Sequence, residues 1–236
     1  MPFMKIYCMS DIHGCLAEFE EALALVTEHL YEKDAKLVLL GDYVHGGAEN
    51  RGVLDKIMRL EQRFGSDKVI ALLGNHDEWV VEGSATIDQT ERAFAQSEYD
   101  YDEKDDDEYI DWLGNLPRYY VEGNTIFVHA GINEHAGEDW EWSTTDDIYT
   151  EKSPAETGKI EGLDMKVVAG HIGTAEIAGN PRFHDIYFDG ESHYYIDGTV
   201  LDSGVIPVLM VDTDTDKYYQ VTESGNWLIE PYGEDY

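Results

Sequence analysis

Residues 4–14 read MKIYCMSDIHG, an apolar run that ends abruptly in a polar cluster. The apolar part has the length and composition of a buried strand, and the final glycine permits a sharp turn. Two further short apolar runs, KLVLLG at 36–41 and KVIALLG at 68–74, have the same form. Between the three runs, residues 15–30 and 51–64 place apolar side chains at helical spacing. This order predicts an α/β core with parallel strands.

The second half of the chain carries short runs that favour strands. They lie at 125–129, 166–170, 183–188, 193–197, 206–211 and 217–222. Turn-forming pairs such as Asp189-Gly190 and Asp197-Gly198 separate some of them. No linker or internal repeat divides the two halves. We therefore expect a single domain over residues 1–236 with two packed sheets.

An acidic segment at about 84–117 interrupts this pattern. Its most charged part, from Glu98 to Asp111, is compatible with a solvated loop or with an acidic helix. Four aromatic residues argue against plain disorder, namely Tyr99, Tyr101, Tyr109 and Trp112. We expect an insertion that edges or covers the functional site.

The charge of the chain restricts the partners that it can bind. Fifty acidic residues oppose sixteen basic ones, and the formal net charge is −34. Such a surface repels polyanions, so stable binding to nucleic acid is not expected. Two explanations of the charge are a solvated acidic surface suited to salty surroundings and a set of carboxylates that gathers divalent cations.

Cysteine content and hydropathy indicate the compartment. The two cysteines, Cys8 and Cys15, lie in an apolar run and after a turn glycine, which argues against a structural disulfide and for a reducing compartment. No stretch approaches about 18 consecutive apolar residues, the length that suggests a membrane-spanning helix. The N-terminal residues also lack the apolar core of a signal peptide. These features predict a cytoplasmic protein without a membrane partner.

Each of five predicted strands ends in residues that can bind a metal ion. The residues at these ends are Asp11 and His13, Asp42, Asn75 and His76, His129, and His171. In open α/β sheets, functional groups collect beyond the carboxyl ends of the strands, so these side chains should share one crevice. Carboxylate, amide and imidazole ligands suit Mn, Fe, Zn or Mg, and the lack of clustered thiolates argues against a cysteine-type zinc site.

Each of these residues also has an ordinary structural explanation. A lone aspartate at a strand–helix junction is most often a helix cap, and a lone histidine is most often a hydrogen-bonded surface or core residue. Coincidence is a poor explanation for five such positions, each beside a glycine that lets the backbone turn sharply. We therefore favour one shared metal site.

Five motifs in order carry a family resemblance: SDIHG at 10–14, GDYVHGG at 41–47, GNHD at 74–77, HAG at 129–131 and GH at 170–171. The series resembles the calcineurin-like metallophosphoesterase superfamily. It is most similar to the branch that includes bacterial Ser/Thr protein phosphatases and symmetrical diadenosine tetraphosphate hydrolases, as is LGNLPRYY at 113–120. The resemblance covers residues 4 to about 211. It implies an α/β fold, a four-layer α/β/β/α sandwich of two mixed sheets flanked by helices.

The resemblance also implies two divalent metal ions, with Mn expected and Fe, Zn or Mg as alternatives. One metal would be held by Asp11, His13 and Asp42. The other would be held by Asp42, Asn75, His129 and His171, so that Asp42 bridges the pair. Two such cations lower the pKa of a bridging water and supply a hydroxide that attacks the phosphorus. His76 would protonate the leaving oxygen as a general acid, without a covalent phospho-enzyme.

The second motif departs from the family pattern GDxxDRG. His45 stands where the family has an aspartate that orients the general acid, and Gly46 stands where it has an arginine that grips the phosphate. A histidine cannot act as that anion, so His76 is less activated or another carboxylate, such as Asp77, takes over. His45 itself is a candidate substrate contact, as an extra acid or a ligand, and a polar loop residue is the alternative.

A second family arginine, in a W-x-R segment after HAG, is missing as well, since the chain reads Trp140-Glu141-Trp142 there. Lys152 is a candidate replacement that would contact the substrate, and a plain surface lysine is the alternative. Trp142 and Trp140 are candidates to stack on a base or an aromatic leaving group, or else they are packing residues. Without the two arginines, we expect a weaker phosphate grip and an altered substrate choice.

Three functions follow from these features. The leading one is a metal-dependent, Ser/Thr phosphatase-like phosphomonoesterase acting on a phosphoprotein or a small phosphoester. The alternative is a dinucleoside tetraphosphate hydrolase or phosphodiesterase, because a diester carries less charge to clamp and the tryptophan pair could stack on a base. A third, non-enzymatic function is a metal-retaining binding module with impaired catalysis.

Overall fold

Two mixed sheets form the centre of the molecule. The computed structural model describes residues 4–88 and 106–233. The strands in this part of the chain are β1 (Lys5–Met9), β2 (Ala35–Leu39), β3 (Val69–Ala71), β4 (Tyr119–Glu122), β5 (Thr125–Val128), β6 (Lys166–Ala169), β7 (Tyr187–Phe188), β8 (His193–Tyr195), β9 (Leu209–Asp212), β10 (Lys217–Thr222) and β11 (Gly225–Leu228).

The strand order is β11-β10-β9-β1-β2-β3 in the first sheet and β4-β5-β6-β8-β7 in the second. In the first sheet β1, β2 and β3 run parallel, with Tyr7 opposite Leu37 and Leu37 opposite Val69. In the second sheet β5, β6 and β8 run parallel. The other neighbouring strands pair antiparallel. The predicted parallel α/β core is confirmed, and each sheet carries antiparallel strands beside it.

Helices connect the strands and cover the outer faces. They are α1 (Leu16–Ala24), α2 (Asn50–Phe64), α3 (Asn75–Val81), α4 (Asp106–Leu113), α5 (Trp140–Ser143), α6 (Asp146–Glu151), α7 (Thr174–Ile177) and α8 (Val200–Ser203), with 3₁₀ turns at His29–Tyr31 and Glu134–Asp139. The predicted helix at 51–64 corresponds to α2, which buries Val53 and Ile57 on one face. Gly65, with φ of 96°, ends this helix in a conformation that suits glycine.

The first sheet packs one face against helices. Alternate side chains of a strand point to opposite faces, so Tyr7 and Met9 of β1 share one side. They pack in one core with Phe19 of α1 and Leu54 of α2. This core joins the first helical layer to the first sheet.

Two further cores complete the layers. On the other face of β1, Ile6 packs in a core with Phe127 of β5, which joins the two sheets. On the outer face of the second sheet, Val128 packs with Trp140 of α5 and Tyr149 of α6. The molecule is therefore a four-layer α/β/β/α sandwich, as the family resemblance implies.

The first helix is shorter than the predicted stretch of residues 15–30. It ends at Ala24, and the backbone N–H of Val26 then bonds to the carbonyl of Leu23, three residues back. The Thr27 hydroxyl also donates to the Leu23 carbonyl, at 2.8 Å. Two β-branched residues and a hydroxyl that competes for a helix carbonyl disfavour continuation of the helix.

Two differences between predicted and observed strands have a simple cause. The predicted strand at 183–188 is present only at Tyr187–Phe188. Phe183 and Ile186 are buried, but their spacing of three is not that of a strand, in which alternate residues share a face. Strand β11 was not predicted because all of its residues are exposed, so no alternation marks it.

The acidic segment is helical where the structure describes it. Helix α4 buries Tyr109 and Leu113, and the Tyr109 hydroxyl donates to Asp55 Oδ1 of α2 at 2.9 Å. The Trp112 indole donates to Glu61 Oε2, also on α2, at 2.8 Å. Of the two alternatives, loop or acidic helix, this part is a helix. The remainder of the predicted insertion at 89–105 lies outside the described residues.

Two smaller expectations concern cysteines and hydropathy. Cys8 is buried and Cys15 is half-buried, and both are free thiols. Among the residues that the structure describes, no helix combines the length and the apolar character needed to cross a membrane.

Candidate metal centre

The polar strand ends of both sheets meet at one crevice. From the first sheet, Asp11 and His13 follow β1, Asp42 follows β2, and Asn75 and His76 open α3 after β3. From the second sheet, His129 follows β5 and His171 follows β6. The parallel strands of each sheet therefore deliver their carboxyl ends to the same place, and the seven predicted residues come together.

Two compact groups of possible ligands share one carboxylate. His13, Asp42 and His76 offer ligand atoms within 4.8 Å of one another, and so do Asp42, His129 and His171. Asp42 Oδ2 lies 3.7 Å from His13 Nε2, whereas Asp42 Oδ1 lies 3.5 Å from His129 Nε2. The two oxygens of Asp42 thus face different groups, which is the placement that a bridging carboxylate requires.

The second group fits a cation because acceptor atoms face one another. His129 Nδ1 donates to the Leu40 carbonyl at 3.1 Å, so in the neutral ring the lone pair is on Nε2. His129 Nε2 lies 3.0 Å from Asn75 Oδ1, and His171 Nδ1 lies 3.1 Å from the same oxygen. A lone pair, an amide oxygen and the Asp42 carboxylate repel one another unless a cation lies among them.

The other group is built in the same manner. His13 Nδ1 donates to the His45 carbonyl at 3.1 Å, which leaves the Nε2 lone pair toward Asp42. Asp11 Oδ1 lies 3.9 Å from His13 Nε2, outside the compact group. Both Asp11 oxygens accept the His171 backbone N–H, at 3.1 and 3.2 Å. Asp11 therefore ties the loop after β1 to the loop after β6.

Burial disfavours charge on the groups of the site. It raises the pKa of the Asp11 carboxyl to about 7 and, with repulsion from Asp11, raises the pKa of Asp42 well above its usual range. Burial also lowers the pKa of His129 and, with the neighbouring His13, brings the pKa of His76 to about 3. A divalent cation would favour the ionised carboxylates and accept the imidazole lone pairs, so the electrostatics also fit a metal.

The backbone is strained where the candidate ligands lie. Among the described residues, seven non-glycine residues have positive φ, and five of them belong to this crevice. They are Asp11 (54°), His13 (49°), Asp42 (56°), His45 (72°) and His171 (64°). Such conformations persist only where the surroundings enforce them, and they cluster at functional sites.

Two glycines leave the room that the carboxylates occupy. A Cβ on Gly74 would lie 2.2 Å from Asp42 Oδ1, and a Cβ on Gly170 would lie 2.1 Å from Asp11 Oδ2. Both distances are far below van der Waals contact. The glycines of GNHD and GH are therefore required by the position of the carboxylates rather than by backbone freedom.

A family model described as calcineurin-like phosphoesterase matches residues 4–206. The chain belongs to the calcineurin-like phosphoesterase family. This confirms the resemblance carried by the five motifs. The family uses divalent metals, and the two ligand groups are candidates to hold them. The chain therefore has the fold of this family and candidate ligands for its metals.

One curated relative of this chain is the symmetrical bis(5'-nucleosyl)-tetraphosphatase of Nitrosospira multiformis, which is 36% identical over 132 residues. The alignment covers 55% of this chain and 44% of that relative. The match thus spans less than half the length of the relative.

Two solved structures share the fold of this chain. One is a provisionally assigned diadenosine tetraphosphatase, with a TM-score of 0.60, 18% identity, and coverage of 92% of this chain and 93% of that one. The other is a cold-active protein tyrosine phosphatase, with a TM-score of 0.62, 13% identity, and coverage of 98% and 80%. These likenesses show the sandwich fold.

Two of the predicted substrate contacts, Lys152 and Trp142, do not lie among the candidate metal ligands. Lys152 Nζ donates to the Ile132 carbonyl, to Glu134 Oε1 and to Glu156 Oε2, at 2.7 to 3.0 Å. Trp142 is 91% exposed, whereas its neighbour Trp140 is buried in the outer core. The structure brings neither Lys152 nor Trp142 into the two ligand groups.

The Asp77 side chain is hydrogen-bonded to the backbone of Asp42 and its neighbours rather than to His76. Its Oδ2 accepts the backbone N–H of Asp42 at 2.7 Å and that of Gly74 at 3.2 Å, and its Oδ1 accepts the Tyr43 N–H at 3.0 Å. Both oxygens are thus engaged with the backbone of the loops after β2 and β3. The idea that Asp77 replaces the missing family aspartate has no support in these contacts.

One group near the candidate ligands was interpreted from the sequence only as part of a turn. Asp197 follows β8, the third parallel strand of the second sheet, and it is buried. Burial, with repulsion from Asp11, raises the pKa of Asp197 to about 7. The signal was present, since an aspartate beside a glycine at a predicted strand end is the pattern that identified Asp42.

Proposed function

We propose that this phosphoesterase hydrolyses dinucleoside tetraphosphates at an internal phosphate. The chemistry rests on one observation, the pair of ligand groups that share Asp42. The choice of substrate is supported by the similarity to a symmetrical bis(5'-nucleosyl)-tetraphosphatase. Our first expectation from the sequence was a phosphomonoesterase. Family membership supports it only in part, because it supports any phosphoester hydrolase equally well.

The chain contributes the cradle for two divalent cations. Asp42 bridges the two ligand groups, and its backbone N–H is fixed by Asp77. His13, with Asp11 nearby, would hold one cation. The other cation would be held by Asn75, His129 and His171. Bound there, the two cations would neutralise phosphoryl oxygens and make a water nucleophilic near neutral pH.

His76 is the residue that we assign to the leaving group. Its backbone N–H donates to Asp42 Oδ1 at 2.9 Å, which places the ring beside the ligand groups. The ring packs against Trp79, with centroids 4.4 Å apart, and against His13, at 5.0 Å. Once protonated beside the bound anionic phosphate, His76 would give that proton to the departing phosphate oxygen and complete the cleavage without a covalent intermediate.

The surroundings of the site favour a weakly charged phosphate. The two positions at which the family pattern has phosphate-gripping arginines are occupied here by Gly46 and Trp142. A terminal phosphate carries more charge than an internal one and needs a stronger cationic grip. An internal phosphate of a dinucleotide therefore suits this site better than a phosphomonoester does.

A substrate panel tests the proposal. We would compare kcat/KM, with Mn present, for diadenosine tetraphosphate, p-nitrophenyl phosphate, bis-p-nitrophenyl phosphate and a phosphopeptide. Preferred cleavage of diadenosine tetraphosphate into two nucleoside diphosphates would support the proposal. Preference for the phosphopeptide or for p-nitrophenyl phosphate would instead establish the phosphomonoesterase. Absence of turnover on the whole panel, with metals bound, would favour the binding module.

Two finer features belong to the same proposal. We expect Mn to be the working metal, because carboxylate, amide and imidazole ligands together suit it, and activity after reconstitution with single metals would test this. We also expect the enzyme to act in the cytoplasm, where its two free cysteines would stay reduced.

A further inference from the structure

His45 is held at four points in the loop after β2. Its backbone N–H donates to Asn50 Oδ1 at 2.9 Å, and its carbonyl accepts the His13 Nδ1–H at 3.1 Å. Its ring Nε2 lies 2.9 Å from the Thr86 carbonyl oxygen, and its Nδ1 lies 3.0 Å from His76 Nδ1. The residue is buried. No ring nitrogen of His45 is left for a substrate or a metal.

The partners of His45 determine where its proton lies. A carbonyl oxygen only accepts hydrogen bonds, so Nε2 of His45 must carry the hydrogen that is donated to Thr86. In the neutral ring the other nitrogen, Nδ1, then holds a lone pair. His76 Nδ1 faces this lone pair, and the contact is a hydrogen bond only if His76 Nδ1 is the donor.

The same contact determines which nitrogen of His76 does the chemistry. With Nδ1–H committed to His45, the hydrogen on Nδ1 stays in place whether His76 is neutral or protonated. Only Nε2 is left to exchange a proton with a leaving oxygen. The Thr86 carbonyl thus acts through His45 on His76, over a chain of two hydrogen bonds.

We propose that His45 is a positioning residue that fixes the orientation and tautomer of His76 as a neutral hydrogen-bond acceptor. This inference rests on the proposed role of His76 in the function above. It differs from the arrangement that the family motif implies, in which an aspartate would accept the same hydrogen bond. His45 also links the candidate ligand His13 to His76. Its carbonyl accepts a hydrogen bond from His13, and its ring accepts one from His76.

Nitrogen NMR tests the tautomers without relying on turnover. The 236-residue chain with ¹⁵N-labelled histidine would be loaded with magnesium, which is diamagnetic, and His76→Asn and His45→Asn would assign the signals. We expect His45 with hydrogen on Nε2 and His76 with hydrogen on Nδ1, the less common tautomer of free histidine. A His76 signal with hydrogen on Nε2 would overturn the proposal. So would a His76 tautomer that is unchanged in His45→Phe.

Kinetics separate positioning from substrate contact. Replacement of residues that orient catalytic groups typically costs on the order of 10-fold to 100-fold, so His45→Phe should lower kcat by about this factor with KM nearly unchanged. His45→Asn, whose amide oxygen can take the place of Nδ1, should recover most of kcat. A rise in KM with unchanged kcat would show a substrate contact instead. Wild-type rates in His45→Phe would show that His45 does not contribute to turnover.

Two controls keep the outcome interpretable. Residue 45 has φ of 72°, which phenylalanine tolerates poorly, so His45→Gly removes the acceptor without backbone strain if His45→Phe does not fold. His135→Phe changes an exposed histidine and should leave kcat unchanged. If the wild type turns over no substrate, the proposed function fails. The histidine tautomers measured by NMR would still test the role of His45.

Discussion

Asp42 is the residue that both ligand groups share, and each of its oxygens faces a different histidine. Asp42→Asn removes the charge that two cations would share, so we expect both metals to be lost together. The fall in kcat should be on the order of 10²-fold to 10³-fold, as for the loss of a main electrostatic contact to the transition state. Metal content by mass spectrometry and kcat on the best substrate of the panel would measure the two effects.

The control for Asp42→Asn is Asp202→Asn, at an exposed carboxylate of α8. It should keep both metals and the wild-type rate. Loss of only one metal in Asp42→Asn would contradict the bridging position.

His76 lies in one of the ligand groups, yet we assign it to proton transfer. His76→Asn distinguishes the two roles. A general acid is worth about 10²-fold to 10⁴-fold in rate, so kcat should fall by that factor while metal content stays at the wild-type level. A variant that loses one metal would show instead that His76 is a ligand. His135→Asn, at an exposed histidine, serves as the control for both measurements.

The limits of sequence reasoning are clear at single residues. The seven candidate metal-centre residues could be predicted to lie together because they follow five apolar runs, in motifs that each contain a glycine. The surroundings of Lys152 were not, because its partner Glu134 is eighteen positions away and is brought close only by the fold. The contact of His45 with His76 joins residues thirty-one positions apart, and no local pattern announces it.

At the scale of elements, a buried ion-pair network joins β8 to the 3₁₀ turn at Glu134–Asp139. His193 Nδ1 donates to Asp189 Oδ2 at 2.7 Å, and His193 Nε2 lies 3.1 Å from Glu134 Oε1. Lys152 Nζ lies 2.7 Å from the same Glu134 oxygen. Burial alone would lower the pKa of His193, but the two carboxylates outweigh it and raise the pKa to about 9.

This network should make stability depend on alkaline pH. The pKa of His193 is raised above the ordinary value of about 6.5, so its stabilisation is complete below that pH and is lost as the pH rises through about 9. Thermal melting between about pH 6 and pH 10 should therefore show a falling Tm. In His193→Gln the slope should flatten, and stability should drop by about 3–5 kcal/mol because buried carboxylates lose their cation.

The control for this slope is His135→Gln, which changes an exposed histidine. It should reproduce the wild-type dependence of Tm on pH. A His193→Gln protein with an unchanged slope would show that other groups govern the alkaline loss of stability.

Elements were predicted best where burial has a period. The strands β1 to β3 and helix α2 have apolar patterns that match their buried faces, and they were predicted close to their observed positions. Strand β11 has no buried face, and α1 ends early because of local side-chain competition. Neither effect leaves a hydrophobic pattern in the sequence.

For the whole molecule, the net charge of −34 is the dominant electrostatic fact. Like charges repel more in the compact state than in the unfolded chain, so screening should stabilise the fold. Raising NaCl from about 0.1 M to about 1 M shortens the screening length from roughly 10 Å to 3 Å. We expect Tm to rise by at least about 2–4 °C, the shift for each kcal/mol in a chain of this size.

Salt identity provides the control for this prediction. Because the effect is screening, KCl and NaCl at equal ionic strength should give the same Tm. A Tm that is unchanged or lower at high salt would show that ion pairs such as those of Glu134 outweigh the general repulsion.

The candidate ligands of the metal centre come from both sheets. Asp42 comes from the first sheet, whereas His129 and His171 come from the second. An ion bound among them would be a cross-link between two layers that otherwise adhere through apolar packing. Because the ion binds only when the two sheets are packed together, its binding free energy stabilises the packed state. Metal binding would thus slow amide hydrogen exchange in strands that do not contact a substrate. Removal of the metal by a chelator would make the same amides exchange faster.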